Sequence, residues 1–314
     1  MAVANVYTLF SFDITSPATA KFSRLTNFTV TGGLNVAKAF PAGLPYPMFT
    51  TIRGGAPGCS FTTPQIDTLF DVCLASTGNG YSADLSAGVN TMVFDKALAY
   101  GTRNTGAVAP IFLLSDPLMY WSRITASSGG VAEATVNLVM AYDGSTAPIF
   151  YNATTSSGTQ VAAEEFGLGQ VSINGTALDG VRSVTVESGV ELLAVGDESE
   201  IYPTFVGIRR CAPMATIEML DASYWGTVPF TPTSAGLALN GTTGLTIYYR
   251  ARATEGANSA ASIHPKIIIA DGLVEPVSVG GSAGSSVTMG LRVTARTATD
   301  TTPPIVPSVG NAHP

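Results

Sequence analysis

Charge is scarce in this chain. Only 12 % of its 314 residues are Asp, Glu, Lys or Arg, roughly half the share of an ordinary globular protein. The 15 basic groups are outnumbered by 22 acidic ones, for a net charge of -7. That balance argues against a protein that grips nucleic acid by neutralising phosphates. Histidine occurs twice, at His264 and His313, which is no ligand pair for zinc. The three cysteines, Cys59, Cys73 and Cys211, lack C-x-x-C spacing and read as small buried hydrophobes. No metal, cofactor or disulfide framework is therefore expected. Uninterrupted apolar runs of about 18 residues are missing as well, so no helical membrane span is expected. The opening stretch has no basic n-region, and Asn5, Thr8 and Ser11 interrupt its apolar residues, which predicts no signal peptide.

What fills the sequence is 46 % apolar residues together with abundant Thr, Ser, Ala, Gly and Asn. Disorder needs low hydrophobicity and high charge, so it fails as a general description. The length suits two domains, each able to bury a core.

An internal repeat gives those domains their bounds. Tyr46-Pro47-Met48-Phe49-Thr50-Thr51-Ile52-Arg53, followed by Ala56-Pro57, returns as Tyr202-Pro203-Thr204-Phe205-Val206-Gly207-Ile208-Arg209, followed by Ala212-Pro213. The two copies lie 156 positions apart and share seven of twelve residues. The same offset sets Gly33 on Gly189, Gly88 on Gly244, and Ile111-Phe112-Leu113 on Ile267-Ile268-Ile269. Several matches in one register point to a whole-chain tandem duplication, with domains at 1–155 and 156–314. The polar stretch Asn152–Gln160 reads as the connector.

Within each unit the apolar period is two. Leu25, Phe28 and Val30, like Val181, Val184 and Val186, read as a strand entering a hairpin at Gly33 or Gly189. Further strands are expected in 92–100, 110–114, 119–126, 132–142, 245–253, 266–270 and 287–297. One helix stands out over Thr63–Leu74. Thr63 is placed to cap it, Pro64 suits its first turn, and Ile66, Leu69, Phe70, Cys73 and Leu74 share a face. Its counterpart after Asp221 is shortened by Gly226 and Pro229. The expected fold is mainly β: a tandem duplication of a β-sandwich or partial barrel, each copy with one packed helix.

Catalytic patterns are thin. Gly280-Gly281-Ser282-Ala283-Gly284 matches G-x-S-x-G, but no helix follows to form the elbow, so it reads as a loop. His264, beside Pro265, reads as a loop residue, and His313 as part of a mobile tail. The acids Glu164 and Glu165, and the group Glu187, Glu191, Asp197, Glu198 and Glu200, follow no calcium-loop spacing, and the second group reads as a solvated hairpin loop. Sequons at Asn27, Asn152, Asn174 and Asn240 arise readily in so Thr-rich a chain. A non-enzymatic protein is expected.

The stretch from Leu178 to Asp221 resembles the core of tail tube proteins of long-tailed bacteriophages. The features that carry this are the alternating Val181, Val184 and Val186, the turn at Gly189, a long loop, Tyr202-Pro203-x-Phe205, a strand ending at Pro213, and Asp221 opening a short helix. The first unit repeats that order, with Phe61-Thr62-Thr63-Pro64 leading into its helix. The resemblance implies a virion structural protein, assembled in the host cytoplasm, whose domains donate inner strands to a barrel around the DNA path. The duplication fits the variant in which three two-domain chains make a pseudo-sixfold ring, and such rings stack into a tube. The partners are then further copies of the chain and other tail proteins at the tube ends, with DNA passing unbound and no membrane.

Roughly 24 strands, about 4.8 Å apart and tilted near 45°, give a barrel radius of about 25 Å. Lining side chains reduce that to a bore of about 40 Å, wide enough for duplex DNA.

The repeat signature has a plainer role too. Proline suits a strand start, and the tyrosines Tyr46 and Tyr202 cover a sandwich edge. Arg53 and Arg209 are candidates for an ion pair inside the domain or across subunits. Residues 1–156 carry 7 basic and 8 acidic groups, the remainder 8 and 14. Lys38 lies in the first long hairpin, whereas Glu191, Asp197, Glu198 and Glu200 lie in the second, so these two segments, 32–45 and 189–201, are expected to mediate stacking between rings. The rival reading is a viral capsid protein of two jelly rolls, which also gives pseudo-hexameric trimers.

Overall fold

The computed structural model describes residues 7–40, 42, 47, 49–96, 108–155, 163–197, 200–221, 224, 237–239, 241–252, 263–282, 286–297 and 302–314. The first half of the chain runs β1 (Tyr7–Ile14), β2 (Ala20–Phe22), β3 (Thr26–Thr31), β4 (Leu34–Ala39), β5 (Phe49–Gly55) and β6 (Gly58–Thr63). It continues with α1 (Ile66–Ser76), β7 (Ser82–Asp84), β8 (Asn90–Lys96), β9 (Val108–Leu114), β10 (Pro117–Ser127), β11 (Glu133–Met140) and β12 (Ile149–Thr155). The second half runs β13 (Phe166–Ile173), β14 (Thr176–Ala177), β15 (Val181–Glu187), β16 (Val190–Val195), β17 (Phe205–Cys211) and β18 (Met214–Met219). It ends with β19 (Leu237–Ala238), β20 (Leu245–Ala251), β21 (His264–Ile269), β22 (Asp271–Gly280), β23 (Thr288–Arg296) and β24 (Val306–Asn311). The protein is mainly β, with antiparallel sheets and, among the described residues, a single α-helix.

The two halves have the same wiring. An outer sheet ordered β12-β9-β8-β1-β2 in the first half has its counterpart in β24-β21-β20-β13-β14. A central sheet carries β7, β10, β11, β6 and β3 from the first half and β19, β22, β23, β18 and β15 from the second, in matching order. Strands β4, β5 and β6 start and end 156 positions before β16, β17 and β18. Even an irregularity recurs: β10 slips register against β11 between Trp121 and Arg123, and β22 against β23 between Pro276 and Ser278.

Strand alternation explains the core. Pro117, Met119, Trp121, Ile124 and Ala126 of β10 are buried, as are Ala134, Val136, Leu138 and Met140 of β11. Period-two side chains all meet the outer sheet on one face. The slip after Trp121 adds one residue and restores the same facing for Ile124. Each large apolar side chain so buried contributes about 1.5–3 kcal/mol. Phe12, Phe22 and Phe61 cluster with ring centroids 5.7–6.2 Å apart. One contiguous core takes in both halves. Helix α1 packs on β2 and β7 of its own half and on β21 and β24 of the other, with Phe70 meeting Tyr249 edge-on at 6.5 Å.

Several expectations are corrected. Thr63 does not cap the helix: it ends β6, its hydroxyl accepts from the Gln65 amide at 3.2 Å, and α1 begins at Ile66. Val72 joins the buried face, while Leu74 is only half-buried. The helical counterpart after Asp221 falls largely outside the described residues. Asn152–Thr155 is no connector, because it pairs with β9 as part of β12; 156–160 lie outside the described residues.

Gly33 and Gly189 mark the entry of the chain into a hairpin, as expected. They are points where the chain leaves the central sheet for a two-stranded arm, β4–β5 or β16–β17. Their φ values are +57° and +61°, and a Cβ would lie 2.1 Å from the Ala56 carbonyl oxygen or 2.0 Å from that of Ala212. Only glycine fits both the left-handed backbone and this close approach.

His264 is no loop residue. It opens β21 fully buried, and its Nδ1 accepts from the Ala251 amide at 3.1 Å. His313 is tethered too: its Nε2 accepts from the Gln170 amide at 3.2 Å, and its ring meets that of His264 at 5.6 Å.

Candidate assembly interface

The feature that joins the halves is a strand ladder. The C-terminal part of β10 pairs with β15 through Arg123↔Glu187, Ile124↔Val186, Thr125↔Thr185, Ala126↔Val184 and Ser127↔Ser183. Amide contacts close both ends, from Ser188 to the Ser122 carbonyl at 3.1 Å and from Ser128 to the Arg182 carbonyl at 2.7 Å. The ladder makes the central sheet continuous across the chain. It also buries its apolar pairs: Ile124 and Val186 are 0 % exposed and Val184 is 1 %.

Identical wiring means that each half has the parts of this ladder, but among the described residues only one of each is used. The counterpart of β15 is β3, which ends the sheet on one side. The counterpart of β10 is β22. The registers Ala134↔Thr63 and Met289↔Met219 set β11 and β23 in correspondence, and Arg123↔Thr135 and Ser278↔Gly290 do the same for β10 and β22. Val279 is thus the equivalent of Ile124. The short strand β19 covers only Leu273 and Val274 of β22, as β7 covers Leu118–Tyr120 of β10. Among the described residues, nothing pairs with Ser278–Gly280 on that side. Val279 is 45 % exposed there. Asn27, Thr29 and Thr31 of β3 are exposed in turn, while Phe28 and Val30 are half-buried.

The face of the central sheet turned from the core is rich in hydroxyls. Thr29, Ser60 and Asn137 stand in register across it, as do Thr125, Thr185 and Thr216. Three of the sheet's arginines face acids: Arg123 lies across from Glu187, Arg292 Nε meets Glu275 at 2.6 Å, and Arg296 Nε meets Asp271 at 2.8 Å. Glu133 and Glu218 add carboxylates, the latter accepting from Ser183 Oγ at 2.9 Å.

The arms carry exposed apolar side chains. Leu34, Val36, Leu193, Val195 and Phe205 are 43–56 % exposed. A shallow cleft of about 500 Å³ between the arms is lined by Val36, Thr50, Thr51, Ile52 and Ile201. The second arm is docked on the first half. The Gly55 amide donates to the Ile201 carbonyl at 2.7 Å, the Tyr142 amide to the Pro203 carbonyl at 2.8 Å, and the Tyr202 ring lies 6.1 Å from that of Tyr142.

The repeat signature falls on these arms and their roots. Ile52 and Arg53 lie on β5, Phe205, Ile208 and Arg209 on β17, and Phe49 opens β5. Pro57, Pro203 and Pro213 are buried and Pro47 is exposed. Tyr46 lies outside the described residues, as do the side chains of Phe49 and Arg53. Arg209 meets Glu191 of its own arm at 3.4 Å, and Arg210 pairs with the same carboxylate.

The expected acidic loop is divided by the fold. Glu187 belongs to the central sheet and Glu191 to β16, while Asp197 and Glu200 stand exposed at the arm tip, where the Glu200 amide reaches the Asp197 carbonyl at 3.1 Å. Glu198 lies outside the described residues. Lys38 is exposed on β4. The segments 32–45 and 189–201 thus contain the strands β4 and β16.

Sequence reading missed β22 and the role of β3 as a sheet edge. The available signal was Val277 and Val279 alternating with Ser278 and Gly280, a strand pattern hidden by its run into the Gly/Ser-rich turn.

The thiols are poor nucleophiles at neutral pH. Burial pushes the Cys59 thiol up to about 12, the Cys211 thiol up to about 11, and Cys73 higher still. Such thiols are protonated at neutral pH. Among the described residues, no three of His, Cys, Asp or Glu come together as a metal-holding group, and no helix is long and apolar enough to cross a membrane. A scan against protein-family models and a search of curated proteins both find no match to this chain.

Proposed function

We propose that the chain is a tandem pair of tube domains, 1–155 and 156–314, which assembles as the tail tube of a long-tailed phage, a conduit for DNA ejection. The observation that carries this reading is the β10–β15 ladder: one domain extends the sheet of the next, and among the described residues the outer edge of β3 and the Ser278–Gly280 edge of β22, the counterparts of β15 and β10, stay unpaired. A sheet built head to tail in this way either closes or runs on. Four long strands per domain, β10, β11, β6 and β3 or their counterparts, supply roughly 24 in a ring of three chains, with a radius of about 25 Å.

The open face supports a conduit. Hydroxyls and in-register arginine–carboxylate pairs leave little positive charge to hold phosphates, whose binding to Lys and Arg dominates nucleic-acid affinity. The exposed apolar arms, with Lys38 on one and Asp197 and Glu200 on the other, are the surfaces for stacking rings and for other tail proteins at the tube ends. A double jelly-roll capsid protein fits less well, because its domains close their sandwiches separately, whereas here one sheet crosses both domains.

Negative-stain microscopy of the purified full-length protein tests the reading. Hollow rods with a bore of about 40 Å are expected. Shells would favour the capsid, and isolated particles at all concentrations would overturn both.

A further inference from the structure

We infer, building on the tube reading, that the occupant of the β22 edge is β3 of a second copy, in the register Ser278↔Thr31, Val279↔Val30 and Gly280↔Thr29. The register comes from the junction inside the chain. Arg123↔Glu187, Ile124↔Val186 and Thr125↔Thr185 map onto these three pairs when β10 is replaced by β22 and β15 by β3. Burial agrees with the mapping. Ile124 is covered by β15 and fully buried, whereas its equivalent Val279 is 45 % exposed, so a second β3 would cover it. A long unpaired strand edge is otherwise an aggregation liability.

The hydrogen-bond pattern follows as well. The end contacts Ser188 to Ser122 and Ser128 to Arg182 fix the phase of the β10–β15 ladder. Alternation then makes Ile124↔Val186 a hydrogen-bonded pair, and Arg123↔Glu187 and Thr125↔Thr185 non-hydrogen-bonded pairs. By equivalence the Val279 amide points outward to the second copy's Val30 carbonyl. Thr29 and Gly280 form a close pair on the open face, with Cα atoms about 4.5 Å apart, inside the range a disulfide can span. A Cβ added at Gly280 meets nothing within 4 Å, so the position accepts a side chain.

The test is oxidative crosslinking of the full chain carrying Thr29→Cys and Gly280→Cys, read on non-reducing gels. The expected result is a ladder of covalent oligomers ending at the ring number. Mixing the two single variants should give dimers only. Val279→Pro removes the outward donor without touching the β22–β23 ladder, so it should leave a folded protein that no longer assembles.

Tubes that form while the Thr29→Cys/Gly280→Cys pair stays uncrosslinked would overturn this edge pairing and leave the tube reading standing. Crosslinked chains that never form tubes would do the reverse. Efficient crosslinking of Thr31→Cys with Gly280→Cys, two residues out of register, or of Thr29→Cys with itself, would overturn the proposed pairing in favour of a shifted or symmetric one.

Discussion

The carbonyl of Ile201, near the tip of the second arm, accepts a hydrogen bond at 2.7 Å from the amide of Gly55, at the root of the first. That contact and the Tyr202 ring beside it fix how the arm lies. A Cβ on Gly55 would sit 2.9 Å from two ring carbons of Tyr202 and 3.2 Å from Leu34 Cδ2. Gly55→Val should therefore displace the ring, lower stability by about 1–3 kcal/mol as overpacking does, and open the β16–β17 arm to protease. Unchanged cleavage and an unchanged denaturation midpoint would show that the arm is held elsewhere.

Two glycines, one at the root of each arm, separate backbone need from chance. Gly189→Ala places a Cβ 2.0 Å from the Ala212 carbonyl oxygen at a φ of +61°, whereas Gly32→Ala meets nothing within 4 Å. The first should cost more than about 2 kcal/mol, since the left-handed backbone alone costs about 1–2. The second should stay within about 0.5 kcal/mol. Urea midpoints of the two variants give the comparison, and equal losses would refute it.

Trp121 is fully buried where the halves meet. Its indole N–H donates to the Gly80 carbonyl at 3.0 Å, and its own carbonyl accepts from Ser188 Oγ at 2.7 Å. Trp121→Phe leaves the Gly80 carbonyl unpaired, which costs about 1–3 kcal/mol. Because one core spans both halves, the variant should melt in a single transition at lower temperature. Two separated transitions, one unmoved, would count against the shared core.

His264 predicts a pH dependence. Burial, and then the charges of His313 and Arg250, hold its imidazolium below the ordinary histidine range, with Glu164 acting weakly in the other direction. Its folded pKa lies below the unfolded value of about 6.5, so below that pH the unfolded chain binds the extra proton. Stability contributed by neutral His264 is complete above about pH 6.5 and is lost as pH falls toward the depressed folded value. An NMR titration should find the His264 ring neutral at pH values where His in the unfolded chain is charged. A ring that protonates at or above pH 6.5 would contradict the assignment.

The sequence carries the repeat because backbone demands are written in residue type. Gly33 and Gly189 must be glycine, and Pro57 and Pro213 fill equivalent buried places, so they match across 156 positions. Alternation in β10, β11 and β18 is equally plain, since each buries one face. Which strand lies beside which is another matter. Thr125 and Thr185 meet across the junction, but a threonine on an open face looks the same beside any partner. The burial of His264 was hidden for a similar reason: its position next to Pro265 suggests a loop, and only the folding of β20 against β21 brings the Ala251 amide to it.

The paired slips at Trp121/Arg123 and Pro276/Ser278 have a geometric outcome. An extra residue bends its strand and steepens the local coil, and here the same slip recurs at matching positions of the two halves. Every added module would then turn the sheet through a similar arc. In the proposed tube, the polypeptide itself would then set the curvature of the sheet, ahead of any contact with a neighbour.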